Sequence, residues 1–472
     1  MNTNLKNDLI NYPFILEQIK EEAINYLNQI NDAPTAVFAT DLKDDNLPQN
    51  GIGTEGAMGL FKSKFSDLMV ATSGPRYWGF VTGGTTPAAL VGDWLTTLYD
   101  QNSQANPKAG GDVSAVVEFE TLHLLRGLFQ LPDTFFGGFV TGATMSNFTC
   151  LAVARQWYGQ QLGLNIAEDG LSGLSNLKIF SAMPHSCVQK DLAMLGIGRK
   201  QLIPIKTVIN NRESMDINDL ENHLKQLNNQ PCIVTTSGGT VNTVDFDDMA
   251  KIAELKQKYT FWWHIDAAFG AFAACSPKYA DLLRGWEQAD SIAVDLHKWL
   301  NVPYDSAVAF IKEEYLNLQR ETFQNANAAY LGDPKLNFNY LNFLPENSRR
   351  MRALPAWMTL MAYGREGYED IVERSVENAQ SLGNKIEQSI DFQLLAPVRL
   401  NCVCFTLKGK TPTEISLFLN KLNARCKVYM TPTVYLGQSA IRAAFVNWRT
   451  ENSDVKLAFE EMTNVLKELN GN

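Results

Sequence analysis

The chain has little cysteine, with seven among 472 residues, at positions 150, 187, 232, 275, 402, 404 and 426. An odd and sparse set does not predict a disulfide framework and is typical of a reducing compartment. Long apolar runs are missing as well: no segment reaches about 18 consecutive apolar residues, and the N-terminus lacks a positively charged stretch followed by an apolar one. We therefore expect a cytoplasmic protein without membrane association.

The chain also lacks an excess of positive charge. It has 41 Lys and Arg against 51 Asp and Glu, a net charge of −10. A field of this sign repels nucleic acid and anionic membranes, so neither is expected as a partner, although a local basic pocket remains compatible with it. Hydrophobic residues at 45% and charged residues at 19% are typical of a globular enzyme and exclude a disordered or fibrous chain.

Short β-rich runs alternate with helical patterns from about residue 93 onward. The runs cover residues 137–140, 177–182, 232–236, 261–266, 291–295 and 307–311. This alternation predicts a mainly parallel sheet with helices on both faces, and binding residues gather at the carboxyl ends of the strands of such sheets. After about residue 345 the pattern changes to a helix-rich tail with one predicted strand, 400–407.

Both ends of the chain carry helical patterns. An amphipathic helix is predicted near the N-terminus, and its apolar stripe needs a covering surface such as a partner subunit; the stripe consists of Ile15, Ile19, Ile24 and Leu27. A second helix is predicted near the C-terminus, after a Ser453 cap. Its apolar face consists of Val455, Phe459, Met462, Val465, Leu466 and Leu469.

Two charged residues follow apolar runs, Asp266 after FWWHI and Lys298 after SIAVDLH. A carboxylate at the end of a buried strand costs several kcal/mol unless a positive group meets it. A structural arginine, a helix N-terminus or a protonated pyridine ring against the small Ala267 and Ala268 are the candidate partners for Asp266. The apolar neighbours of Lys298 favour a desolvated, nucleophilic amine able to form a Schiff base, whereas most lysines lie at the surface.

Three further motifs are less specific. The turn GATMSN joins a strand to a helix, and the N–H groups of Gly142, Ala143 and Thr144 suit a phosphate, although tight turns favour the same residues. His185 follows another strand, but His185 and Cys187 alone are too few for a zinc site, and no metal is expected. The GIGTEG segment at 51–56 matches G-x-G-x-x-G, yet its polar context predicts a glycine-rich surface loop.

Taken together, these clusters resemble the pyridoxal-phosphate-dependent group II amino-acid decarboxylases, which include aromatic L-amino-acid and glutamate decarboxylases. The resemblance spans most of the chain, through 75–87, 117–120, GATMSN, PHS, 237–247, HIDAAFG, DLHKW and 441–450. It implies the type I fold of such enzymes: an α/β architecture with a mainly parallel seven-stranded sheet, helices on both faces and a small C-terminal α/β domain.

The resemblance also implies a division of the chain and an assembly. An N-terminal helical segment at 1–92 wraps around the partner of a homodimer, a large cofactor-binding domain covers 93–345, and a small domain covers 346–472. The active site lies at the interface of the two subunits.

The resemblance assigns roles to individual residues around the cofactor, pyridoxal 5'-phosphate. Lys298 binds it covalently, Asp266 pairs with the pyridine nitrogen, and Tyr330 protonates the substrate carbon after carbon dioxide leaves. The remaining contacts are Ala268 and His185 on the two ring faces, Ala143, Thr144, Met145 and His297 at the phosphate, and Thr240 nearby. Asp295 stands where several relatives have asparagine and must point away from the phosphate or pair. Arg442 and Arg449 match late arginines of the family, with roles left open.

The implied reaction converts an L-amino acid to its amine and carbon dioxide. Tyr330 rather than phenylalanine, and His185 rather than asparagine, favour simple decarboxylation over oxidative aldehyde formation. An aldehyde synthase, an aminotransferase of the same fold and a catalytically silent binding protein remain alternatives. Trp78 and Phe80 near the predicted entrance favour an aromatic substrate, although aromatics at such spacing are more often core or dimer contacts. Arg76 favours an acidic substrate, or it is a solvated loop residue; an aromatic substrate is the preferred interpretation, and another non-aromatic one stays an alternative.

Overall fold

The computed structural model describes residues 1–38, 44–104, 113–172, 174, 176–210, 212–325 and 338–471. The α-helices within these ranges are α1 (Thr3–Ile10), α2 (Tyr12–Gln29), α3 (Gly53–Lys64), α4 (Pro87–Tyr99), α5 (Ser114–Phe129), α6 (Ala143–Gln161), α7 (Ile166–Asp169), α8 (Ser186–Met194), α9 (Ile217–Gln226), α10 (Met249–Lys256), α11 (Leu296–Trp299), α12 (Leu316–Phe323), α13 (Ala353–Glu387), α14 (Pro412–Ala424) and α15 (Asn452–Leu469). The strands are β1 (Phe135–Val140), β2 (Ile179–Ser181), β3 (Leu202–Pro204), β4 (Cys232–Ser237), β5 (Phe261–Asp266), β6 (Ser291–Asp295), β7 (Ala307–Lys312), β8 (Phe392–Leu394), β9 (Cys402–Leu407), β10 (Thr431–Tyr435) and β11 (Gln438–Ala444).

The central sheet contains seven strands in the order β1-β7-β6-β5-β4-β2-β3. Strands β3, β2, β4, β5 and β6 pair in parallel, and β7 runs antiparallel to both β6 and β1. The predicted seven-stranded, mainly parallel sheet is therefore confirmed. Each of the six predicted runs overlaps a strand, whereas β3 was not predicted because this edge strand is short, only partly buried and ends in a proline.

The middle strands of this sheet are covered by helices on both faces. Every residue of β4, β5 and β6 is buried. On one face, α6 and α8 pack against Trp262 and Ile233, and on the other, α5 and α13 pack around Trp263 and Phe272. Burial of both faces explains why each of these strands contains consecutive apolar residues, CIV, FWW and IAV, instead of a strict alternation of apolar and polar ones.

A second, antiparallel sheet near the C-terminus has the order β10-β11-β9-β8. Its apolar face packs on α14, α15 and the later part of α13. The predicted strand at 400–407 corresponds to β9, and the other three strands were not predicted. The predicted C-terminal helix is α15, but the Ser453 cap is wrong, because Ser453 lies inside the first turn while Glu451 and Asp454 form a reciprocal capping box.

The N-terminal helices have no buried residues within this chain. The predicted amphipathic helix is α2, and its Ile19 and Ile24 are exposed. The surface-loop prediction for residues 51–56 is wrong, since α3 begins at Gly53. Asp8 of α1 explains this start, because its carboxylate accepts hydrogen bonds from the Thr54 N–H and hydroxyl at 3.1 and 2.7 Å.

The predicted domain boundary after residue 92 falls inside α4 rather than in a linker. Helix α4 packs along α13, and a Cβ atom at Gly92 would come within 2.7 Å of the Pro355 Cα. The three-part division of the chain otherwise stays a prediction. Among the described residues, no helix is long and apolar enough to cross a membrane.

Candidate active site

A cavity of about 360 Å³ opens beyond the carboxyl ends of β1, β4, β5 and β6. These ends meet at one edge of the sheet because β1, β4, β5 and β6 run in the same direction. The cavity brings together most of the residues that the sequence singled out, namely Ala143, Thr144, His185, Thr240, Asp266, Ala268, His297 and Lys298. Met145 is not among its lining residues, and Tyr330 lies outside the described residues.

Lys298 lies in α11, directly after β6. Its side chain is 17% exposed, and its Nζ lies 3.5 Å from Asp295 Oδ2 and 5.6 Å from the ring centre of Phe269. The other Asp295 oxygen, Oδ1, lies 3.0 Å from His297 Nδ1. Asp295, which was expected from the sequence to point away from the phosphate or to pair, therefore forms an ion pair with Lys298 within the site.

A segment preceding α4 packs directly on the backbone of Lys298. The N–H of Gly83 donates to the His297 carbonyl at 3.4 Å, and a Cβ atom at Gly83 would lie 1.5 Å from the Lys298 carbonyl oxygen. Just before it in the chain, Phe80 and Val81 line the cavity with positive φ angles of 55° and 59°. Such a φ is strained for a β-branched valine, so the surrounding packing must hold this wall in place.

Asp266 ends β5 and is 8% exposed. Its Oδ1 accepts from the Ala268 N–H at 3.2 Å, and its Oδ2 accepts from Asn147 Nδ2 at 3.2 Å. No lysine, arginine or histidine forms an ion pair with it among the described residues, so the structural arginine considered from the sequence is not its partner there. The carboxylate is left facing the cavity, where a cationic group can meet it.

His185 caps the N-terminus of α8. Its Nδ1 accepts from the Cys187 N–H at 3.3 Å and lies 2.9 Å from Cys187 Sγ. Burial lowers the pKa of His185, so the ring is neutral at neutral pH. A neutral imidazole can lie flat against a ring without adding charge to the site.

The N-terminus of α6 opens onto the same cavity. The helical hydrogen bonds of α6 begin with the N–H of Ser146, which donates to the Gly142 carbonyl at 2.9 Å. The preceding N–H groups, from Gly142 to Met145, have no such partner and form an anion site. Met145 can contribute only its N–H, because its side chain packs in an apolar cluster with Val140 and Phe338.

The two late arginines take different positions. Arg442 on β11 is 8% exposed, lines the cavity, donates from Nη1 to the Val241 carbonyl at 2.9 Å, and has no acidic partner among the described residues. The guanidinium carbon of Arg449 lies over Trp448, 4.4 Å from its ring centre, and Arg449 is not among the cavity-lining residues.

Two residues proposed to select the substrate do not lie in the cavity. Trp78 is buried in the core of the small domain, and its Nε1 donates to the Pro75 carbonyl at 2.9 Å. Arg76 donates to the Asp454 carboxylate at 2.8 Å and to the Lys427 carbonyl at 2.9 Å. Both predictions are wrong, because these side chains hold the small domain together; Phe80, in contrast, does line the cavity.

Other lining residues were not predicted as site residues. They are Val81, Met183, Cys187, Ser237, Gly239, Val241 and Phe269. Each neighbours a predicted site residue or motif along the chain, and all but Val81, which follows Phe80 in the segment before α4, lie at or shortly after the end of a strand. Thr240, which was predicted, is held by a hydrogen bond from its hydroxyl to Glu213 Oε2 at 2.5 Å.

The side chains fit pyridoxal 5'-phosphate. Asp266 offers an acceptor to a protonated ring nitrogen, the N-terminus of α6 offers donors to a phosphate, and the Lys298 amine offers a nucleophile to an aldehyde. Ala268 leaves room for a flat ring, since it carries only a methyl group.

A second carboxyl is buried beside the site, on α8. Asp191 is 0% exposed, and neither of its oxygens has a hydrogen-bond partner among the described residues. Burial, with a smaller contribution from the Asp266 charge, raises the pKa of Asp191 from 3.8 to about 8. The folded protein therefore binds this proton more tightly than the unfolded chain, and the associated stability is lost as pH rises from about 4 through 8.

Replacing Asp191 with asparagine should remove this loss. We expect the variant to match the wild type in stability near pH 4 and to exceed it by an amount that grows with pH, reaching several kcal/mol above about pH 8. Chemical denaturation of the cofactor-loaded proteins across this pH range measures the difference. Parallel stability profiles for the two proteins would contradict the assignment.

Comparison with known proteins agrees with a site that binds pyridoxal phosphate through a lysine. The chain matches the "Pyridoxal-dependent decarboxylase conserved domain" over residues 42–408 and belongs to this family of carbon–carbon lyases. Pyridoxal 5'-phosphate is therefore its cofactor. An aromatic-L-amino-acid decarboxylase from Bacillus atrophaeus is 26% identical over 418 residues, which cover 85% of this chain and 82% of the relative.

Solved structures share the fold over nearly the whole chain. The Oryza sativa TDC, solved with PLP and tryptamine, has a TM-score of 0.88 at 20% identity and covers 97% of this chain and 98% of its own. The Rhodiola rosea 4-hydroxyphenylacetaldehyde synthase has a TM-score of 0.86 at 18% identity and covers 98% and 99%. At these identities the similarity establishes the type I fold.

Proposed function

We propose that this protein decarboxylates an L-amino acid, preferably an aromatic one, to its amine and carbon dioxide. The observation that carries the proposal is the meeting of Lys298, Asp266 and the N-terminus of α6 in one cavity. Family membership supports the reaction type, and the choice of substrate rests on the walls of the cavity.

Bound pyridoxal phosphate supplies an electron sink conjugated to the α-carbon of the substrate. Lys298 holds the cofactor covalently, and the carboxylate of Asp266 keeps a proton on the ring nitrogen. The N–H groups of Ala143, Thr144 and Met145, together with His297, hold the phosphate. Ala268 and His185 flank the ring, and Thr240 lies near it.

The final protonation is assigned to Tyr330 on the resemblance alone, since this residue lies outside the described ranges. A tyrosine hydroxyl can deliver a proton to the α-carbon after carbon dioxide leaves. Cleavage of the carboxylate bond, rather than the bond to the α-hydrogen, would depend on how the walls of the cavity orient the substrate carboxylate.

An aromatic side chain suits the apolar part of the cavity wall, which Phe80, Val81, Met183 and Phe269 provide. Large apolar surfaces of this kind favour an aromatic partner. One observation favours a second candidate, an acidic substrate: the guanidinium of Arg442 faces the cavity without an acidic partner among the described residues. A carboxylate on the substrate side chain would supply that partner.

We further propose a cytoplasmic homodimer. The exposed apolar residues of α1 and α2, such as Leu9, Phe14 and Ile19, support this assembly because no other described part of this chain buries them. The family resemblance further implies that the two active sites lie at the interface of the subunits.

The proposal is tested by incubating the cofactor-loaded protein with a panel of L-amino acids while carbon dioxide, amine, aldehyde and peroxide are measured together. We expect equal amounts of carbon dioxide and amine from aromatic substrates, without peroxide. Turnover of acidic substrates alone, lost in an Arg442→Met variant, would establish the second candidate and overturn the aromatic preference.

The same assay distinguishes amine formation from the reactions of an aldehyde synthase and an aminotransferase. Aldehyde with peroxide indicates the synthase, and conversion of a keto acid to an amino acid indicates the aminotransferase. Absence of any product, despite bound cofactor, indicates a silent binding protein. A Tyr330→Phe variant that still forms only amine, at an unchanged rate, would exclude Tyr330 as the proton donor.

A further inference from the structure

A chain of buried hydrogen bonds runs away from the cavity behind Asp266. We propose that Asn147 and His264 are positioning residues that hold Asp266 as an ionised acceptor aimed at the ring nitrogen of the cofactor. This inference rests on the proposed role of Asp266 and assigns a function to two residues that do not line the cavity.

The links are short and continuous. Asn147 Nδ2 lies 3.2 Å from Asp266 Oδ2, and Asn147 Oδ1 lies 2.7 Å from His264 Nε2. On the far side, His264 Nδ1 lies 2.9 Å from Ser291 Oγ, and Ser291 Oγ lies 2.9 Å from Trp262 Nε1. The chain crosses from α6 to β5 and on to β6, so it ties the carboxylate to the centre of the sheet.

The direction of every link follows from what each group can do. An ionised carboxylate only accepts, so the Asn147 amide nitrogen must donate to Asp266, which leaves its oxygen to accept from His264 Nε2–H. His264 Nδ1 then accepts from the Ser291 hydroxyl. That hydroxyl oxygen in turn accepts from the indole of Trp262, which only donates. Each of the four links then joins one donor to one acceptor.

The orientation of the Asn147 amide is fixed by a further contact. Its second N–H donates to Cys187 Sγ at 3.3 Å. A flipped amide would present its oxygen to the Asp266 carboxylate and to the sulfur, and would lose both donors. The amide therefore has one favourable orientation, and it faces Asp266 with a donor.

Burial keeps the hydrogen-bonded side chains behind Asp266 in one protonation state. Asn147 and His264 are both fully buried, and burial lowers the pKa of His264 to about 4. The imidazole is therefore neutral at neutral pH, and the Asn147 contact to Nε2 selects the tautomer with its proton there. Hydrogen bonds donated to a carboxylate favour its charged form, which is the form that can keep a proton on a pyridine nitrogen.

Other titratable groups surround Asp266 from neighbouring elements. They are Cys150 on α6, His185, Cys187 and Asp191 around α8, Asp295 at the end of β6 and Lys298 in α11. Of the titratable side chains among the described residues, Cys187 alone contacts the carboxylate, as a weak donor at 3.9 Å. The amide of Asn147 is thus the principal side-chain donor to Asp266.

The test compares Asn147→Ala and His264→Leu with the conservative His264→Gln, whose amide nitrogen can replace Nε2 as a donor. The dissociation constant of pyridoxal phosphate is measured by equilibrium dialysis. We expect the first two variants to bind the cofactor about 10- to 100-fold more weakly, by analogy with the effect of removing residues that orient metal ligands. The glutamine variant should stay within about threefold of the wild type.

A second readout follows the ring nitrogen itself. With cofactor labelled with nitrogen-15 at the pyridine position, the chemical shift reports whether that nitrogen is protonated. In Asn147→Ala and His264→Leu the nitrogen should lose its proton at a pH lower by about one unit, and His264→Gln should restore the wild-type midpoint. If the two substitutions only lower the stability of the fold and do not disturb the position of Asp266, the midpoint of the ring nitrogen should stay unchanged.

Asn378→Ala is the matched control. Asn378 is a buried asparagine on α13 whose amide donates to the Thr450 carbonyl at 3.0 Å, away from the cavity. It should lower stability without moving the cofactor affinity or the nitrogen midpoint. The inference is overturned if Asp266→Asn weakens binding while Asn147→Ala and His264→Leu do not. If Asp266→Asn has no effect either, the proposed role of Asp266 fails first.

Discussion

Replacing Lys298 with alanine should abolish covalent retention of the cofactor and lower amine formation by on the order of a thousandfold or more, the scale seen when a covalent nucleophile is removed. Lys298 is the single lysine among the lining residues of the cavity that the structure describes. Its Nζ lies near Asp295 and the Phe269 ring. Because no other described lysine lines the cavity, none is placed to bind the cofactor in its stead. Steady-state amine formation measures the loss, and gel filtration measures cofactor retention.

Lys251→Ala provides the control, since Lys251 is an exposed lysine on α10 that pairs with Asp248. It should change neither activity nor retention. An added small primary amine should partly restore the Lys298→Ala reaction, because it can replace the missing amine in the vacated space. Full activity of Lys298→Ala without added amine would refute the role of this lysine.

Replacing Gly83 with alanine should strongly lower both stability and cofactor binding, although Gly83 does not line the cavity. The new methyl group would lie 1.5 Å from the Lys298 carbonyl oxygen, and a clash with backbone cannot be relieved by rotating a side chain. Either the segment carrying Phe80 and Val81 moves or the lysine does. We expect a loss of at least about 3 kcal/mol of stability together with weaker cofactor binding.

Gly127→Ala is the matched comparison for that variant. Gly127 lies in α5, and a Cβ atom there would meet nothing within 4 Å. Because alanine is the better helix former, this change should be neutral or stabilise by up to about 1 kcal/mol. Thermal unfolding and cofactor titration of the two variants measure the contrast, and a well-folded Gly83→Ala enzyme with wild-type affinity would show that the segment can move.

The central sheet was predictable because its strands are buried on both faces. Strands β5 and β6 contain the apolar runs FWW and IAV, and the charged residues at or shortly after their ends, Asp266 and Lys298, stand out against that background. The three-residue β3 carries no such pattern. The start of α3 at Gly53 was also hidden, because it depends on Asp8, a residue far earlier in the chain.

Residues that act through distant contacts were the hardest to assign from sequence. Trp78 and Arg76 stand beside Phe80 in the chain, yet the first packs into the small domain and the second pairs with Asp454, so only the fold separates them. His264 and Asn147 looked like strand and helix residues. Their link to Asp266 becomes visible once α6 is packed against β5.

The most direct test is to locate the covalent attachment of the cofactor. The loaded protein is reduced with borohydride, digested, and mapped by mass spectrometry. We predict that the added mass of the reduced cofactor is found on the peptide containing Lys298 and on that residue. Attachment at any other lysine, or recovery of all the cofactor unattached, would contradict the account.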